Sequence, residues 1–539
     1  MKRSIALILA IVMMMALVAC GGDPGTSSVP GNASSSGATS TPSTTDIKDV
    51  NKEQEATVDT TKTYKKELAV TYTDNITQFD PMLKTGNGPD MAYKMVYNQL
   101  ISYNYDTKEL EPELAESWTV EAADSYVFNL RKGIKFSNGE ELTADDIVFT
   151  FVDRPKAVEG TTGSAIWNEI AEIEVLNDYS VRFKLTKADA DFLYRIWLAY
   201  FAVVNREACQ KDAENGHMVG TGGWIVDSWA PGDHVTFVRH DGSWVWEESG
   251  MNPTEKVVFR YMTEGTARAI ALQNKELAAV NSIGSADLPA LEADKNVHVY
   301  TFPTETLSYL CFNMQNGALA KNEKLRKAVA YALNYDELND YLLDGLGTHT
   351  QTMWGSNQYG LVADYDEEYE YNPEKAKQLM TEAGYPNGFE FGFTTSQDGL
   401  ATLIQAQLQL CNIKVNVVIA DAAGISAAVK DGSYDMLYYT ISLRSDGGRF
   451  AFIPDIKHST NRAHYDNPEM LAKFTAAQGE SDDDKRKELY KEIQVELHDQ
   501  IPYLPLFYQV RSVGWYEGVT GIKWEYDSKP DFTHIMWEE

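Results

Sequence analysis

Cysteine is scarce in this chain: four in 539 residues, at positions 20, 209, 311 and 411. Cys20 stands apart near the N-terminus. Cys209, Cys311 and Cys411 are an odd number without metal-ligand spacing, so they build no disulfide framework and leave room for one bridge at most. Cys311 and Cys411 sit in apolar stretches and read as small buried hydrophobes. Basic residues are also few, 47 Lys and Arg against 79 Asp and Glu, giving a formal charge of −32. That balance repels phosphates and excludes nucleic acid as a partner. Catalytic signatures are missing too. There is no Gly-x-Ser-x-Gly elbow, and none of the nine histidines falls in His-Glu-x-x-His. Asp145-Asp146 lies in a helix-capping segment, and His458, His464 and Asp455 form only a loose cluster of loop residues. No enzyme activity, metal or cofactor is expected. Beyond the first twenty residues no apolar run approaches membrane-spanning length.

Those first twenty residues are the most informative. Met1-Lys2-Arg3 is a basic start, Ile5 to Val18 is uncharged and apolar, and Leu17-Val18-Ala19-Cys20 closes it before Gly21. This is the layout of a secretory signal, residues 1–19, with a cysteine at the cleavage point. The pattern predicts a lipoprotein: Cys20 becomes the new N-terminus and carries acyl chains, palmitate among them, enough for stable anchoring. Losing Lys2 and Arg3 takes the charge from −32 to −34. Residues 20–63 are then rich in Ser, Thr, Gly and Pro, as in Ser34-Ser35-Ser36-Gly37, and lack the apolar surface to offset their own ordering. They read as a flexible tether with a reach of about 35 Å, at roughly 5–6 Å × √n. The protein is expected outside the cytoplasm, held on a cell membrane by lipid alone.

The remaining length supports two or three domains. Strands are predicted over 67–73, 125–130 and 181–185, where apolar and polar residues alternate, and over 235–239 and 257–260. Thr143-Ala144-Asp145-Asp146 marks a helix start. The second half changes character. Leu325, Ala328, Val329, Ala332 and Leu333 fall at helical spacing, and Asn372-Pro373 opens a helix that Gly384 stops. A strand at 389–395, a helix at 399–410 and a strand at 413–418, followed by a helix to Lys430 and a strand at 434–441, imply a parallel sheet covered by helices.

Several blocks then carry a resemblance. Leu110-Glu111-Pro112-Glu113-Leu114-Ala115-Glu116-Ser117-Trp118, Leu130-Arg131-Lys132-Gly133-Ile134-Lys135-Phe136-Ser137-Asn138-Gly139 and Leu142-Thr143-Ala144-Asp145-Asp146-Ile147-Val148-Phe149 come first. Trp229-Ala230-Pro231-Gly232-Asp233, Ala383-Gly384-Tyr385-Pro386-Asn387-Gly388, Tyr465-Asp466-Asn467-Pro468-Glu469 and Ile501-Pro502-Tyr503-Leu504-Pro505-Leu506-Phe507 follow in order. Together they resemble the extracellular solute-binding proteins, family 5, of ABC importers, the oligopeptide, dipeptide and nickel-binding type. The resemblance implies an α/β, two-lobed periplasmic-binding-protein-like fold with a hinged ligand cleft. Lobe I would take residues 64–89, 205–304 and 515–539. An additional domain, 90–204, packs on it, and lobe III spans 305–514. The lobes close on a ligand, and the loaded, monomeric receptor docks on a transmembrane permease.

Ligand identity is less determined. Peptide-binding members of that family carry a Trp-x-x-Asp segment after a Tyr-Asp, its acid pairing with the peptide ammonium. Here Tyr434-Asp435 is followed by Leu437-Tyr438-Tyr439-Thr440-Ile441-Ser442-Leu443-Arg444-Ser445-Asp446, with no Trp and with Arg444 on or beside the acid's place. Asp446 can take the ammonium role, Arg444 can face an anionic ligand, or the two can pair with each other. Trp354 lies in a loop that borders the cleft in this family. Either Tyr438 or Tyr439, but not both, faces it. Phe79 and Asp80 lie near the first lobe's rim. Peptides lead as ligand class, with an oligosaccharide or anionic small solute as the alternative, and a surface sensor or adhesin behind them.

Overall fold

Two long strands, Val297–Phe312 and Tyr503–Tyr516, run antiparallel through the middle of one sheet and belong to both of its halves. The structure is a computed structural model that describes residues 46–55, 58–83, 88–157, 167–355, 358–362, 365, 368–443, 447–525 and 530–539. Among them the main sheet has eleven strands. On one side of the crossing pair lie Met436–Ser442, Phe389–Thr395 and Ile413–Ile419; the last two are parallel and joined by helix Asp398–Gln409. On the other side lie Ala279–Ile283, Glu67–Tyr72, Lys256–Tyr261, His234–Arg239 and Trp224–Ala230. A separate four-stranded antiparallel sheet is formed by Ala115–Ala122, Ser125–Leu130, Ser180–Leu185 and Ile170–Asn177. In Ser125–Leu130 the expected alternation holds: Tyr126, Phe128 and Leu130 are buried.

Local chemistry sets the element ends. Asp146 accepts from the Thr143 amide at 3.0 Å and from the Arg206 amide at 2.9 Å, capping one helix and tethering the next. Asn372 caps Pro373–Glu382 through the Lys375 amide, and Gly384, at φ +88°, takes the left-handed turn beyond it.

The buried apolar residues separate into distinct cores. One contains residues from 47–97, 202–302 and 513–537. A second runs from Leu100 to Val203, with Met82 added. Two more cover opposite faces of the main sheet in the third region, residues 307–507. Strand alternation divides them: Leu307, Tyr309 and Cys311 face one, Leu310 and Phe312 the other. Cys311 and Cys411 are fully buried, Cys209 is half-buried, and all three are free thiols.

Two boundaries differ from the sequence reading. The sequence boundary at residue 90 divides helix Gly88–Val96, but Met91, Ala92, Tyr93, Met95, Val96 and Tyr97 all pack into the first core. Part of the 20–63 stretch expected as a tether is ordered and docked: helix Ile47–Gln54 lies within it. This helix is capped by the Asp46 carboxylate and buries Ile47 and Val50 in the first core. Asn51 exchanges two hydrogen bonds with the Trp524 backbone, at 2.9 and 2.7 Å, and Gln54 bonds Val519 and Ile522. Polar composition concealed this helix, because its two apolar residues bury only after distant strands have formed. Residues 1–45 and Cys20 lie outside the described residues.

Replacing Asn51 by Ala removes both backbone partners and should lower unfolding free energy by about 1–3 kcal/mol in urea titration; an unchanged midpoint would mean that the helix is not docked in solution. His349 stacks on Tyr335 with centroids 4.1 Å apart, and burial pushes its imidazole down to about 4. The unfolded chain therefore takes up this proton first, so stability is lost as pH falls from about 6.5 toward 4. Melting between pH 7 and 5 should show His349→Asn relieving about 1–2 kcal/mol of that loss.

Candidate interlobe ligand site

The chain passes from the first core to the third region's cores at residues 303–307 and returns at 508–510. Pairing between the crossing strands is interrupted there: Pro303 faces Val510, but the next partners are Leu307 and Tyr508. Three residues of one strand, Thr304, Glu305 and Thr306, thus oppose one residue of the other. Such a bulge leaves the ladder locally unpaired and is a natural bending point.

Glu305 occupies this bulge and is only 6% exposed. Its carbonyl accepts from the Leu443 amide at 2.7 Å, which fixes the start of the segment that carries Arg444 and Asp446. Gly355 lies so close to its carboxylate that a Cβ there would overlap it. Burial, then Tyr194 and the Glu305 carboxylate, push the Tyr103 phenol of the second domain up. Tyr508 donates to the Trp354 carbonyl beside the same loop. The bulge therefore gathers a carboxylate, tyrosines and two loop ends from three parts of the chain.

The expected site residues fall out unevenly. Phe79 is 1% exposed and packs edge-on against Trp229 and Tyr93, so it is a core ring and not a rim residue. Asp80 is buried in an ion pair with Arg154 at 2.5 Å and also caps Met82, which ties the first core to the second domain. Trp354 is buried against Phe450 and Phe474 inside the third region. Tyr438 belongs to a core as well, where burial pushes its phenol up. Tyr439 points to the opposite face, half-buried, stacked near Tyr309 and covered by the Arg462 guanidinium at 4.0 Å. Arg444 and Asp446 lie outside the described residues. Asp435 holds strands together, its carboxylate accepting from Gly392 at 2.6 Å. The sequence reading missed Glu305, Tyr103 and Arg462. An acid between two threonines in an otherwise apolar strand was the available signal for Glu305.

Two described cavities lie elsewhere. One of about 20 Å³ beside Trp354 and His498 has room for a single water. The other, about 340 Å³, lies where Gly88–Val96 meets the second domain, with Trp197, Trp244 and Glu113 among its walls. Desolvation pushes Glu113 up to about 8 despite hydrogen bonds from Asn98 and Gln99.

Residues 109–454 match the family model for bacterial extracellular solute-binding proteins, family 5. The heme-binding protein A of Haemophilus influenzae is 28% identical over 80% of this chain and 85% of its own. The dipeptide-binding protein of Escherichia coli is 28% identical over 79% of this chain and 86% of its own. The solved structure of HbpA2 from Haemophilus parasuis superposes with a TM-score of 0.79 at 22% identity, covering 88% of this chain and 100% of that one. DppA from Helicobacter pylori in complex with the peptide STSA gives 0.70 at 25% identity, covering 88% and 98%. Among the described residues no helix is long and apolar enough to cross a membrane.

Asp80→Asn leaves Arg154 buried without its counter-charge and should cost about 3–5 kcal/mol of stability. Urea titration measures this; a loss below about 1 kcal/mol would remove Asp80 from the frame that joins the first core to the second domain.

Proposed function

Because the chain belongs to the bacterial extracellular solute-binding proteins of family 5, we propose that it is a membrane-tethered receptor of an ABC importer that captures peptides between its lobes and delivers them to a permease. The observation that carries the reading is the bulge at 303–307 against 508–510, where the chain passes between separate cores and where Glu305 and the 443 segment meet. A hinge at that point lets binding free energy drive closure through contacts made only when the lobes are shut. Relatives named for dipeptides, and a structural neighbour holding a tetrapeptide, support peptide as the ligand class.

Within this reading Cys20 carries the lipid, and residues 21–45 form the tether. Lobe I includes helix Ile47–Gln54 and helix Gly88–Val96, with the additional domain inserted behind them and lobe III beyond residue 306. Tyr439 borders the ligand, and Asp446 meets its ammonium while Arg444 meets a carboxylate. The receptor performs no hydrolysis; its chemistry is capture and release.

A thermal-melt screen of the body from Asp46 onward tests this, with dipeptide, tripeptide and longer peptide pools beside oligosaccharides, organic acids and hemin. A ligand at 100 times its Kd adds about 2.7 kcal/mol, which raises the melting temperature. Peptide pools alone should do so, and Arg444→Ala should weaken the effect at least tenfold in Kd. A response to sugars, acids or hemin alone overturns the peptide assignment. Turnover of any panel member by pure protein overturns the receptor reading.

A further inference from the structure

Among the described residues, the second domain meets lobe III at a compact polar cluster centred on Asp191. This side chain belongs to the second domain yet is fully buried, with 0% exposure. Its Oδ2 accepts from the Tyr490 hydroxyl at 2.5 Å and from the Gly448 amide at 2.9 Å, and its Oδ1 lies 3.9 Å from the Arg486 guanidinium. Next to it the Ala190 amide donates to the Gln478 carbonyl at 2.6 Å, and Arg486 donates to the Ala190 carbonyl at 3.1 Å. Tyr194 packs against Tyr359, which lies under Arg486 at 4.1 Å and donates to Asp483 at 2.6 Å.

Both sides are prepared for this contact. In the second domain Asp189 accepts from the Asp191 amide at 3.0 Å and from the Tyr126 hydroxyl through its carbonyl at 2.7 Å, so the loop presents Asp191 from a fixed base. In lobe III the receiving surface needs two glycines. A Cβ on Gly448 would stand 2.5 Å from Gln478 and 3.1 Å from the Asp191 carboxylate, and one on Gly447 would stand 2.6 Å from the Tyr490 ring. Gly447-Gly448 follows directly on the segment that holds Arg444 and Asp446.

We propose that Asp191 is a closure latch: it holds lobe III against the second domain through Gly448, Tyr490 and Arg486. Three observations separate a latch from a static seam. The second domain is tied to the first core by the Asp80–Arg154 pair, whereas lobe III is reached through the bulged crossing strands. Bending there must part Asp191 from Gly448 and Tyr490. No described apolar core spans the contact, so it can separate in water without exposing a core. Its bonds also reach two separate parts of lobe III, the Gly448 backbone amide and helix Asp483–Gln500, so one carboxylate gathers both. Only its consequence for affinity rests on the receptor reading.

The test uses the full mature chain without ligand. Asp191→Ala removes the acceptor, and Gly448→Ala expels it from the other side; neither residue fills a core. Hydrogen exchange of peptides covering 187–195 and 447–453 should quicken at least tenfold in both variants, and small-angle scattering should show a larger radius of gyration. The double variant should match either single one. Faster exchange in 187–195 alone, with 447–453 and the radius unchanged, would make Asp191 a local residue of its own domain and overturn the latch. Additive effects in the double variant would overturn it too. With a peptide pool that stabilises the wild type, Asp191→Ala should raise the apparent Kd about five- to twentyfold. A wild type that binds no peptide would sink the peptide reading while leaving the exchange and scattering results to decide the latch.

Discussion

Register loss in the crossing strands sets where this sheet can bend. A sheet that runs without interruption through two lobes would resist bending, because every ladder hydrogen bond would have to stretch together. Here the crossing strands lose register where three residues face one, between Pro303 and Leu307. On either side the apolar residues belong to different cores, Phe302 to one and Leu307 and Leu310 to others. Rotation at the bulge therefore costs few buried contacts, while each lobe keeps its own packing. The sheet supplies alignment and the bulge supplies freedom.

That division places Glu305 and Leu443 at the point where the lobes meet, whereas the aromatic candidates lie inside single cores. Glu305 is fixed through its own backbone to Leu443 and crowded by Gly355, so its position follows both loop ends. Aromatic rings can stack on ligands, but the same rings fill cores. Phe79, Trp354 and Tyr438 fill cores here.

The difference was only partly legible in the sequence. Alternation in 125–130, the capping signals at Thr143 and Asn372, and the strand–helix–strand unit at 389–419 depend on neighbours close in sequence, and they appear where expected. Which face of a strand meets a cleft depends on lobes hundreds of residues apart, so Tyr438 and Tyr439 were indistinguishable until register placed them opposite Leu310 and Tyr309. Helix Ile47–Gln54 was hidden for the same reason: its docking surface is built from Val519, Ile522 and Trp524 at the far end of the chain. Asp191 gave no signal either, since its partners Gly448 and Tyr490 lie far along the sequence.

The weakness of the Asp191 contact is as informative as its presence. A latch that acts without ligand raises the closed fraction of the empty receptor, and the apparent Kd falls in inverse proportion to that fraction. Taken too far, the empty protein would stay shut and admit nothing. Two hydrogen bonds to a carboxylate and an ion pair at 3.9 Å are worth a few kcal/mol at most, once the water they displace is counted. Moving a two-state equilibrium from 1:99 to 99:1 takes about 5.5 kcal/mol. The latch alone therefore cannot hold the lobes closed, and the remainder must come from contacts that only a bound solute makes. A carboxylate seated between two lobes, rather than an apolar seam, keeps closure responsive to ligand while shortening the distance that ligand binding must cover.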